Sequence, residues 1–415
     1  MKNIKNIGFM LSNISIYSEI LNDDVFINLK NIISNEHNSA FDASNAYSKM
    51  FKLLCTSEHI GNLYDYIYDK VIYAENLFTL ECAKGNFKNL PEHIVEASKN
   101  DLAILYKIAK LTSEQLIDYL IENYTDIKEI SSLMPKFSNT PKNSDDFGDW
   151  GENLSHFVEH NEKNGYGLYS RYIFFYLDEN GPTIKPVLNP DNISLDNLKC
   201  FEAQRKTIVD NTLSLINGSK INNVLLYGHR GTGKSSTIKA IVNDFHTNGL
   251  RLIEVSKENL KYLGRVIDVL SKIPMKFIVF VDDLTFTDGD DSYTALKAVL
   301  EGSSNKLGDN MALYATTNRR HLVTETFMSR EGDEVHLKDT LDETASLSDR
   351  FGIMVTFSFP SRLEYLEIVK QLAIDNNLSF EKIETGAISW SAQRGNFSPR
   401  TARQYIDFVI AQNRG

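Results

Sequence analysis

The most chemically specific stretch of the sequence spans residues 228–235 and reads GHRGTGKS. It fits the pattern G-x-x-x-x-G-K-[ST] without a mismatch. The glycines let backbone N–H groups wrap around an anion, because a Cβ would obstruct that approach. The lysine can contact the β- and γ-phosphates of a nucleotide, and the final hydroxyl can ligate Mg²⁺. The residue types and their spacing therefore predict a phosphate-binding loop.

The elements on either side of the loop fit this interpretation. An apolar run at residues 224–227 predicts a short buried strand, and residues 236–242 have helical spacing. A helix that starts near Gly233 presents unpaired N–H groups and the positive end of its dipole to the anion. A glycine turn in an ordinary strand–helix unit is the alternative. The predicted nucleotide-binding residues are Gly228, His229, Arg230, Gly231, Thr232, Gly233, Lys234, Ser235 and Ser236.

Two carboxylates follow a second apolar run. Residues 277–286 read FIVFVDDLTF, which predicts a buried strand ending at Asp282 and Asp283. Asp282 is predicted to hold Mg²⁺ together with Ser235, and Asp283 to orient the attacking water. Glutamate is the commoner water-orienting group, and aspartate is one methylene shorter. An acidic turn after a buried strand is the alternative interpretation.

An amide and an arginine form the next pair of candidates. Asn318 follows the predicted strand 311–315, at the sheet edge where loops contact ligands. Its amide can contact the γ-phosphate or the attacking water, although such a residue can equally be a turn residue. Arg350 precedes the predicted strand 353–357, and its forked guanidinium suits a phosphate undergoing transfer. On its own, an arginine in this position is usually a surface residue.

The last candidate lies near the C-terminus. Ser398 is predicted to cap a helix that begins at Pro399, which places Arg400 in its first turn and Arg403 on the same face. Cations at a helix N-terminus are repelled by the positive end of the helix dipole, and a nearby anion would offset this repulsion. We therefore expect this helix to face phosphate.

Composition indicates a water-soluble globular chain of 415 residues, long enough for about two or three domains. The net charge of −11 argues against nonspecific adhesion to nucleic acid or to an anionic membrane. No segment predicts a signal peptide or a membrane span, so we expect a cytoplasmic protein. Cys55, Cys82 and Cys200 lack metal-ligand spacing and are predicted to be buried thiols in a reducing compartment.

The pattern along the chain predicts four regions. Residues 1–137 have apolar positions at helical spacing and form a helical N-terminal domain. Residues 138–197 begin with a polar, glycine-rich linker and continue into a β-hairpin. Residues 198–360 alternate helices with apolar strands, which is typical of a parallel sheet covered by helices. Residues 361–415 predict a small helical lid.

The order of these motifs resembles that of the AAA+ ATPases. Segments spread over residues 169–407, including non-catalytic ones, look like the bacterial AAA+ family catalogued as domain of unknown function 815. The resemblance implies an α/β fold. This fold would have a P-loop AAA+ core with a five-stranded parallel sheet and flanking helices, a mainly helical N-terminal domain and a small helical C-terminal lid. It also implies assembly into a homo-oligomer. His229 departs from the family pattern, which often has a small residue there.

The resemblance also implies a role for each candidate. Lys234 and Ser235 would act as Walker A residues, and Asp282 and Asp283 as Walker B residues. The sensor 1, arginine finger and sensor 2 roles would belong to Asn318, Arg350 and Arg400. The finger would act on a neighbouring subunit.

Three functions stay open at this point. The first is an ATPase that uses Mg²⁺ and ATP to remodel or load a macromolecular client. The second is an ATP-controlled switch or scaffold with slow hydrolysis. The third is a DNA-associated loader, for which the only basic support is Arg319, Arg320, Arg394 and Arg403. Residues 329–346 are rich in carboxylates and are either solvated surface or an acidic contact with a subunit or client.

Overall fold

The computed structural model describes residues 2–34, 39–142, 146–179, 181–287, 291–301, 307–318, 323–324 and 350–413. The acidic segment 329–346 and the residues Arg319 and Arg320 lie outside this part of the chain. The chain forms two compact units, Met1–Arg171 and Tyr172–Gly415.

The first unit is helical, as predicted. Leu63, Ile67 and Val71 lie one turn apart on one helix and are fully buried. Thr112 and Gln115 form the predicted capping box of another helix. The described α-helices are α1 (Lys2–Leu11), α2 (Asp24–Ser34), α3 (Ala40–Thr56), α4 (Leu63–Ile72), α5 (Leu77–Ala83), α6 (Glu92–Ala109), α7 (Ser113–Asn123), α8 (Ile127–Ile130), α9 (Leu154–Asn164) and α10 (Gly167–Arg171). Short 3₁₀ helices lie at Ser18–Asn22, Phe87–Asn89 and Ser131–Leu133.

The structure differs from the expected linker at residues 138–166. Trp150 is fully buried in the core of the first unit, and its Nε1 donates a hydrogen bond to Tyr64 Oη at 3.1 Å. Leu154 and Phe157 are buried in the same core. The sequence is polar on average, but Leu154, Phe157 and Val158 form one buried stripe on α9, and Trp150 lies just before this helix. The linker was predicted from the average polarity of the segment, which does not show a stripe on one face.

The second unit is built on a mostly parallel sheet, which confirms the predicted α/β class. The five predicted strands are parallel neighbours. The predicted hairpin extends this five-stranded core at its edge through β1, which pairs in parallel with β4. The strands are β1 (Phe174–Leu177), β2 (Ile184–Pro186), β3 (Val224–Gly228), β4 (Leu250–Glu254), β5 (Lys276–Val281), β6 (Phe286–Thr287), β7 (Met311–Thr317), β8 (Val323–Thr324) and β9 (Ile353–Phe357).

Within the described residues, the strand order of the large sheet is β2-β1-β4-β5-β7-β3-β9, and β6 pairs with β8 separately. A two-stranded hairpin is marginal alone in water, and the buried side chains of Phe174 and Phe175 explain why β1 docks on the sheet. The carboxyl ends of β3, β5 and β7 lie side by side, because these strands are adjacent and parallel. The sheet therefore brings together the residues that follow these three strands.

Helices cover the sheet, and three more follow it. These last three, named here the C-terminal bundle, pack around their own buried core, which includes Tyr365, Val369 and Tyr405. The helices are α11 (Glu202–Ile216), α12 (Lys234–Phe245), α13 (Leu263–Leu270), α14 (Asp291–Glu301), and, in the C-terminal bundle, α15 (Arg362–Asp375), α16 (Phe380–Arg394) and α17 (Pro399–Asn413). Short 3₁₀ helices lie at Leu195–Asn197, His246–Asn248 and Lys257–Tyr262.

The cysteines only partly follow the prediction of buried thiols. Cys82 is buried, and burial raises the pKa of its thiol to about 12. Cys55 is exposed and Cys200 is half-buried, so the prediction is wrong for Cys55. Cys55 lies in the last turn of α3, where it is not on the buried stripe. Within the described residues, no helix is both long and apolar enough to span a bilayer.

Candidate nucleotide site

The predicted phosphate loop leaves β3 and enters α12 under tight backbone constraints. Gly228 has φ 143°, and a Cβ there would lie 2.0 Å from Phe357 O, because Gly228 pairs directly with Phe357 on β9. Gly231 and Gly233 also have positive φ values, 78° and 95°. These conformations favour glycine, so the glycines of the motif are required by the backbone path itself.

Lys234 is the first residue of α12 and is 6% exposed. Its Nζ donates to Gly228 O at 2.8 Å, to His229 O at 2.9 Å and to Asn318 Oδ1 at 3.0 Å. Burial lowers the pKa of Lys234, an effect that the nearby carboxylates Asp282 and Asp283 partly offset. The ammonium is thus held by neutral oxygens in the position from which it could reach a phosphate.

Asp282 is bound by two hydroxyl groups. Ser235 Oγ donates to Asp282 Oδ1 at 2.6 Å, and Thr316 Oγ1 donates to the same oxygen at 2.5 Å. Asp282 directly follows β5, and Thr316 lies on the adjacent strand β7. A serine hydroxyl beside one carboxylate is an oxygen-only donor set, which suits Mg²⁺ with water and phosphate completing its shell. The residues present therefore fit a bound Mg²⁺ ion.

Thr316 is a residue of the site that was not predicted from the sequence. The only signal was a hydroxyl-bearing residue inside an otherwise apolar strand, and that strand ends in two consecutive threonines. Thr316 contacts both aspartates, because its Oγ1 also accepts a hydrogen bond from the Asp283 N–H at 2.9 Å. It therefore fixes the turn that carries the two carboxylates.

Asp283 is held in a left-handed backbone conformation with φ 53°, which is uncommon for a residue other than glycine. Its Oδ1 accepts a hydrogen bond from Asn318 Nδ2 at 2.5 Å, and its Oδ2 lies 3.5 Å from Arg230 Nη2. Asn318 thus bridges Asp283 and Lys234 through the two ends of its amide. This network keeps the Asp283 carboxylate bound to side chains of its own unit.

A cleft of about 630 Å³ opens in front of the loop. Its walls include, from the predicted residues, Arg230, Gly231, Thr232, Gly233, Lys234, Ser235, Ser236, Asp282, Asp283, Asn318 and Arg400. Six lysines and arginines line it against three aspartates, although the whole chain carries a net charge of −11. The six cations are Lys199, Arg205, Arg230, Lys234, Arg400 and Arg403. A polyanion of nucleotide size suits this wall.

The C-terminal bundle forms one side of the cleft. The backbone N–H of Arg400 donates to Gly231 O at 3.2 Å, and Arg403 Nη2 donates to Asn197 O at 3.1 Å. Ser398 Oγ accepts from the Thr401 N–H at 3.2 Å, in the predicted capping position. Both arginines of the first turns of α17 therefore face the cleft, as their spacing suggested.

Three predicted site residues lie away from the cleft wall. Gly228 and His229 begin the loop but do not line the cleft, and their carbonyl groups accept hydrogen bonds from Lys234 Nζ. Arg350 is also absent from the wall, and its Nη2 binds Glu301 Oε1 at 2.9 Å. Glu301, at the end of α14, was not predicted to have any role.

One family of known proteins matches nearly the whole of the second unit. Residues 170–413 match the family described as "Protein of unknown function (DUF815)". The comparison with curated proteins gives no match. The Thermotoga maritima RuvB Holliday junction branch migration motor is similar in structure, with 19% identity and a TM-score of 0.35. That alignment covers 52% of this chain and 64% of that chain.

Two single-residue variants of the same Thermotoga maritima RuvB are similar in the same way. One has 20% identity and a TM-score of 0.36, with 52% of this chain and 64% of that chain covered. The other has 20% identity and a TM-score of 0.35, with 54% and 66% covered. The chain therefore spans less than two thirds of the length of each of these three structures.

Proposed function

The chain belongs to the DUF815 family, and from the geometry of its cleft we propose that it binds and hydrolyses Mg²⁺-ATP as an AAA+ ATPase. The observation that carries this proposal is the convergence of Lys234 and Ser235, at the start of α12, with Asp282, at the end of β5. An ammonium, a hydroxyl and a carboxylate lie there behind a loop of backbone N–H groups. This is the arrangement that a nucleoside triphosphate requires.

In the proposed reaction, Lys234 exchanges its carbonyl partners for oxygens of the β- and γ-phosphates. Ser235 and Asp282 would hold Mg²⁺, which neutralises charge that develops on the phosphates when it is bound. Asp283 orients the attacking water and accepts its proton, and Arg400 adds positive charge from the C-terminal bundle. These residues act mainly by positioning and by charge stabilisation.

Asp283 can orient water only after it leaves its present partners. Asn318 Nδ2 and Arg230 Nη2 both bind its carboxylate in this structure. The proposed trigger is the movement of Lys234 toward the phosphates, because that movement removes the donor on Asn318 Oδ1. Asn318 would then be free to turn its amide toward the γ-phosphate. This assigns Asn318 the sensor 1 role.

The same contacts favour a second candidate function. A carboxylate held by two side chains, and shorter than the usual glutamate, suits an ATP-controlled switch with slow hydrolysis. In that case ATP would order an assembly that presents the N-terminal helices to a partner. The two candidates differ in turnover and agree on ATP binding.

We further propose that the site is completed in a cytoplasmic homo-oligomer. Arg350 lies outside the cleft wall of its own chain, so it would serve as the arginine finger of a neighbouring subunit. The assembly would remodel or load a macromolecular client. Residues 1–171 would form the N-terminal domain, since Trp150 and Phe157 lie in its core, 172–197 the hairpin region, 198–360 the ATPase core and 361–415 the lid.

A nucleic-acid client is supported less well than a protein client. Arg403 faces the nucleotide cleft, and Arg394 stacks on Trp390 with its guanidinium carbon 3.6 Å from the ring centroid. These two arginines are therefore already engaged in separate places. The net charge of −11 also opposes a long phosphate backbone.

The test is ATP turnover per subunit over a wide range of protein concentration. We expect the rate to rise steeply with concentration, because Arg350 would act on a neighbour. A flat and appreciable rate would reject completion by a second subunit. Near-zero turnover with tight ATP binding would favour the switch.

Asp283→Asn should keep ATP binding and lose turnover. Asp210→Asn is the matched control, because Asp210 is an exposed carboxylate on α11 that pairs with Lys206 and lies outside the cleft wall. Turnover of Asp283→Asn at the wild-type rate would reject the role of Asp283.

A further inference from the structure

The C-terminal bundle contacts the phosphate loop at two places, called crossings here: the segment that leads from β9 to the bundle, and the start of α17. At the first, His229 N–H donates to Phe357 O at 3.1 Å, at the end of β9. At the second, Arg400 N–H donates to Gly231 O at 3.2 Å, at the start of α17. The bundle has its own core, so its movement as a body would change these two contacts, together with those of Arg403 with Asn197 and of Lys199 with Asp375.

The first crossing carries a side-chain contact that the proposed ATPase mechanism does not use. The imidazole of His229 stacks on the ring of Phe359, with centroids 4.1 Å apart and planes 5° from parallel. Phe359 lies three residues before α15, the first helix of the bundle. His229 is exposed and Phe359 is 38% exposed, so this contact adds little to the buried core.

His229 is joined to the nucleotide site by its carbonyl group. His229 O accepts hydrogen bonds from Lys234 Nζ at 2.9 Å and from Thr232 Oγ1 at 2.8 Å. A phosphate that draws Lys234 away removes a charged donor from the peptide group that bears the stacked ring. One residue therefore contacts the phosphate-binding lysine on one side and the entry to the bundle on the other.

We propose that His229 is a positioning residue that transmits ATP occupancy from Lys234 to the C-terminal bundle through its stack on Phe359. This inference rests on the proposed ATP function and deepens it. The ring holds the first half of the loop against the segment 357–359, so a change in the His229 peptide reaches α15. The second crossing at Arg400 is independent of the ring.

The test is hydrogen–deuterium exchange on the full chain, with and without the non-hydrolysable analogue adenosine 5′-(β,γ-imido)triphosphate and Mg²⁺. In the wild type, the analogue should change exchange in residues 357–375 and at the start of α17. In His229→Ala, the response at 357–375 should be lost and the response at α17 kept. A residue with a merely structural role would alter both or neither.

Three variants sharpen the result. His229→Phe keeps a flat ring on Phe359 and should restore the response. Phe359→Ala should reproduce the loss, and the double variant should be no worse, because both changes remove one contact. Phe408→Ala is the matched control, since Phe408 is 41% exposed and lies on α17. Affinity for the analogue should change by at most about tenfold in His229→Ala, because the stack is already present without nucleotide and only its change on binding alters the affinity.

A full response at residues 357–375 in His229→Ala would overturn the proposal. So would a wild type that binds the analogue by calorimetry without any response there. A wild type that does not bind the analogue would reject the ATP function and this inference together, which separates that failure from the other two.

Discussion

Replacing Lys234 with alanine tests the central interaction of the proposed site. In the structure, Lys234 Nζ already binds the carbonyl oxygens of Gly228 and His229 and the amide oxygen of Asn318. ATP binding is therefore an exchange of neutral acceptors for phosphate, and only the difference appears in the affinity. The effect of the substitution is smaller than the full attraction between an ammonium and a phosphate.

The size of that difference can be worked out roughly. A unit charge pair about 4 Å apart gains about 4 kcal/mol at an effective dielectric constant of about 20. Three hydrogen bonds are given up, to the carbonyls of Gly228 and His229 and to the amide oxygen of Asn318, at a net cost of about 0.5 kcal/mol each, or about 1.5 kcal/mol together. The remainder is about 2.5 kcal/mol, so Lys234→Ala should raise the Kd for ATP roughly 70-fold.

The assay is calorimetric titration of ATP in the presence of Mg²⁺, with thermal unfolding measured on the same samples. Lys239→Ala is the control, because Lys239 lies on the same helix α12, pairs with Glu254 and is outside the cleft wall. The control should bind ATP as the wild type does. A folded Lys234→Ala protein whose Kd rises less than about fivefold would refute the exchange described above.

Three more predictions follow from the same contacts. Because burial lowers the pKa of Lys234, the ammonium is lost at a lower pH than for an ordinary lysine. ATP affinity should therefore fall as pH rises through that lowered pKa, with proton uptake on binding seen by calorimetry in buffers of different ionisation enthalpy. Stability without nucleotide should rise in the same window, since the unfolded chain keeps the proton longer; pH-independent ATP affinity would contradict this. Gly228→Ala forces a Cβ to within 2.0 Å of Phe357 O at φ 143° and should cost about 3 kcal/mol or more in denaturant unfolding, so a loss below about 1 kcal/mol would contradict the packing described. Glu301→Gln should change stability by less than about 1 kcal/mol, because both partners of its ion pair with Arg350 are about a third exposed. It should also lower the protein concentration needed for half-maximal turnover by removing one ion-pair partner of Arg350, whereas Arg350→Ala should bind ATP normally and lose the concentration dependence; an unchanged midpoint in Glu301→Gln would show that this ion pair does not restrain Arg350.

Several features of the site could be predicted because they depend on short stretches of chain. The phosphate loop lies between a four-residue apolar run and a helix, and its glycines take the positive φ values that the motif requires. The capping box of Thr112 and Gln115 spans four residues and formed as predicted. Alternating helices and apolar strands were enough to indicate a parallel sheet. In each case the interaction is local, so the sequence specifies it directly.

Average composition was a poor guide where only one helical face decided the outcome. The stretch 138–166 is polar overall, yet Leu154 and Phe157 are buried because they share one face of α9, and Trp150, just before that helix, is fully buried in the same core. The predicted hairpin was correct in itself, but its docking on β4 depends on the buried face of β1. The average polarity of a segment does not reveal a single apolar face. The strand that pairs with a sheet edge depends on which faces are buried in the folded chain.

The sequence by itself determined the chemistry of the loop, the class of the fold and the types of residue that end the adjacent strands. Only the tertiary structure decided which of them touch. Thr316 joins both aspartates, Glu301 binds Arg350, and Phe359 stacks on His229 across 130 residues of chain. Such contacts depend on distance and direction between side chains that are far apart in sequence, and the sheet order sets both. Residue types can be read in one dimension, whereas hydrogen bonds and ring stacks exist only once the chain has folded.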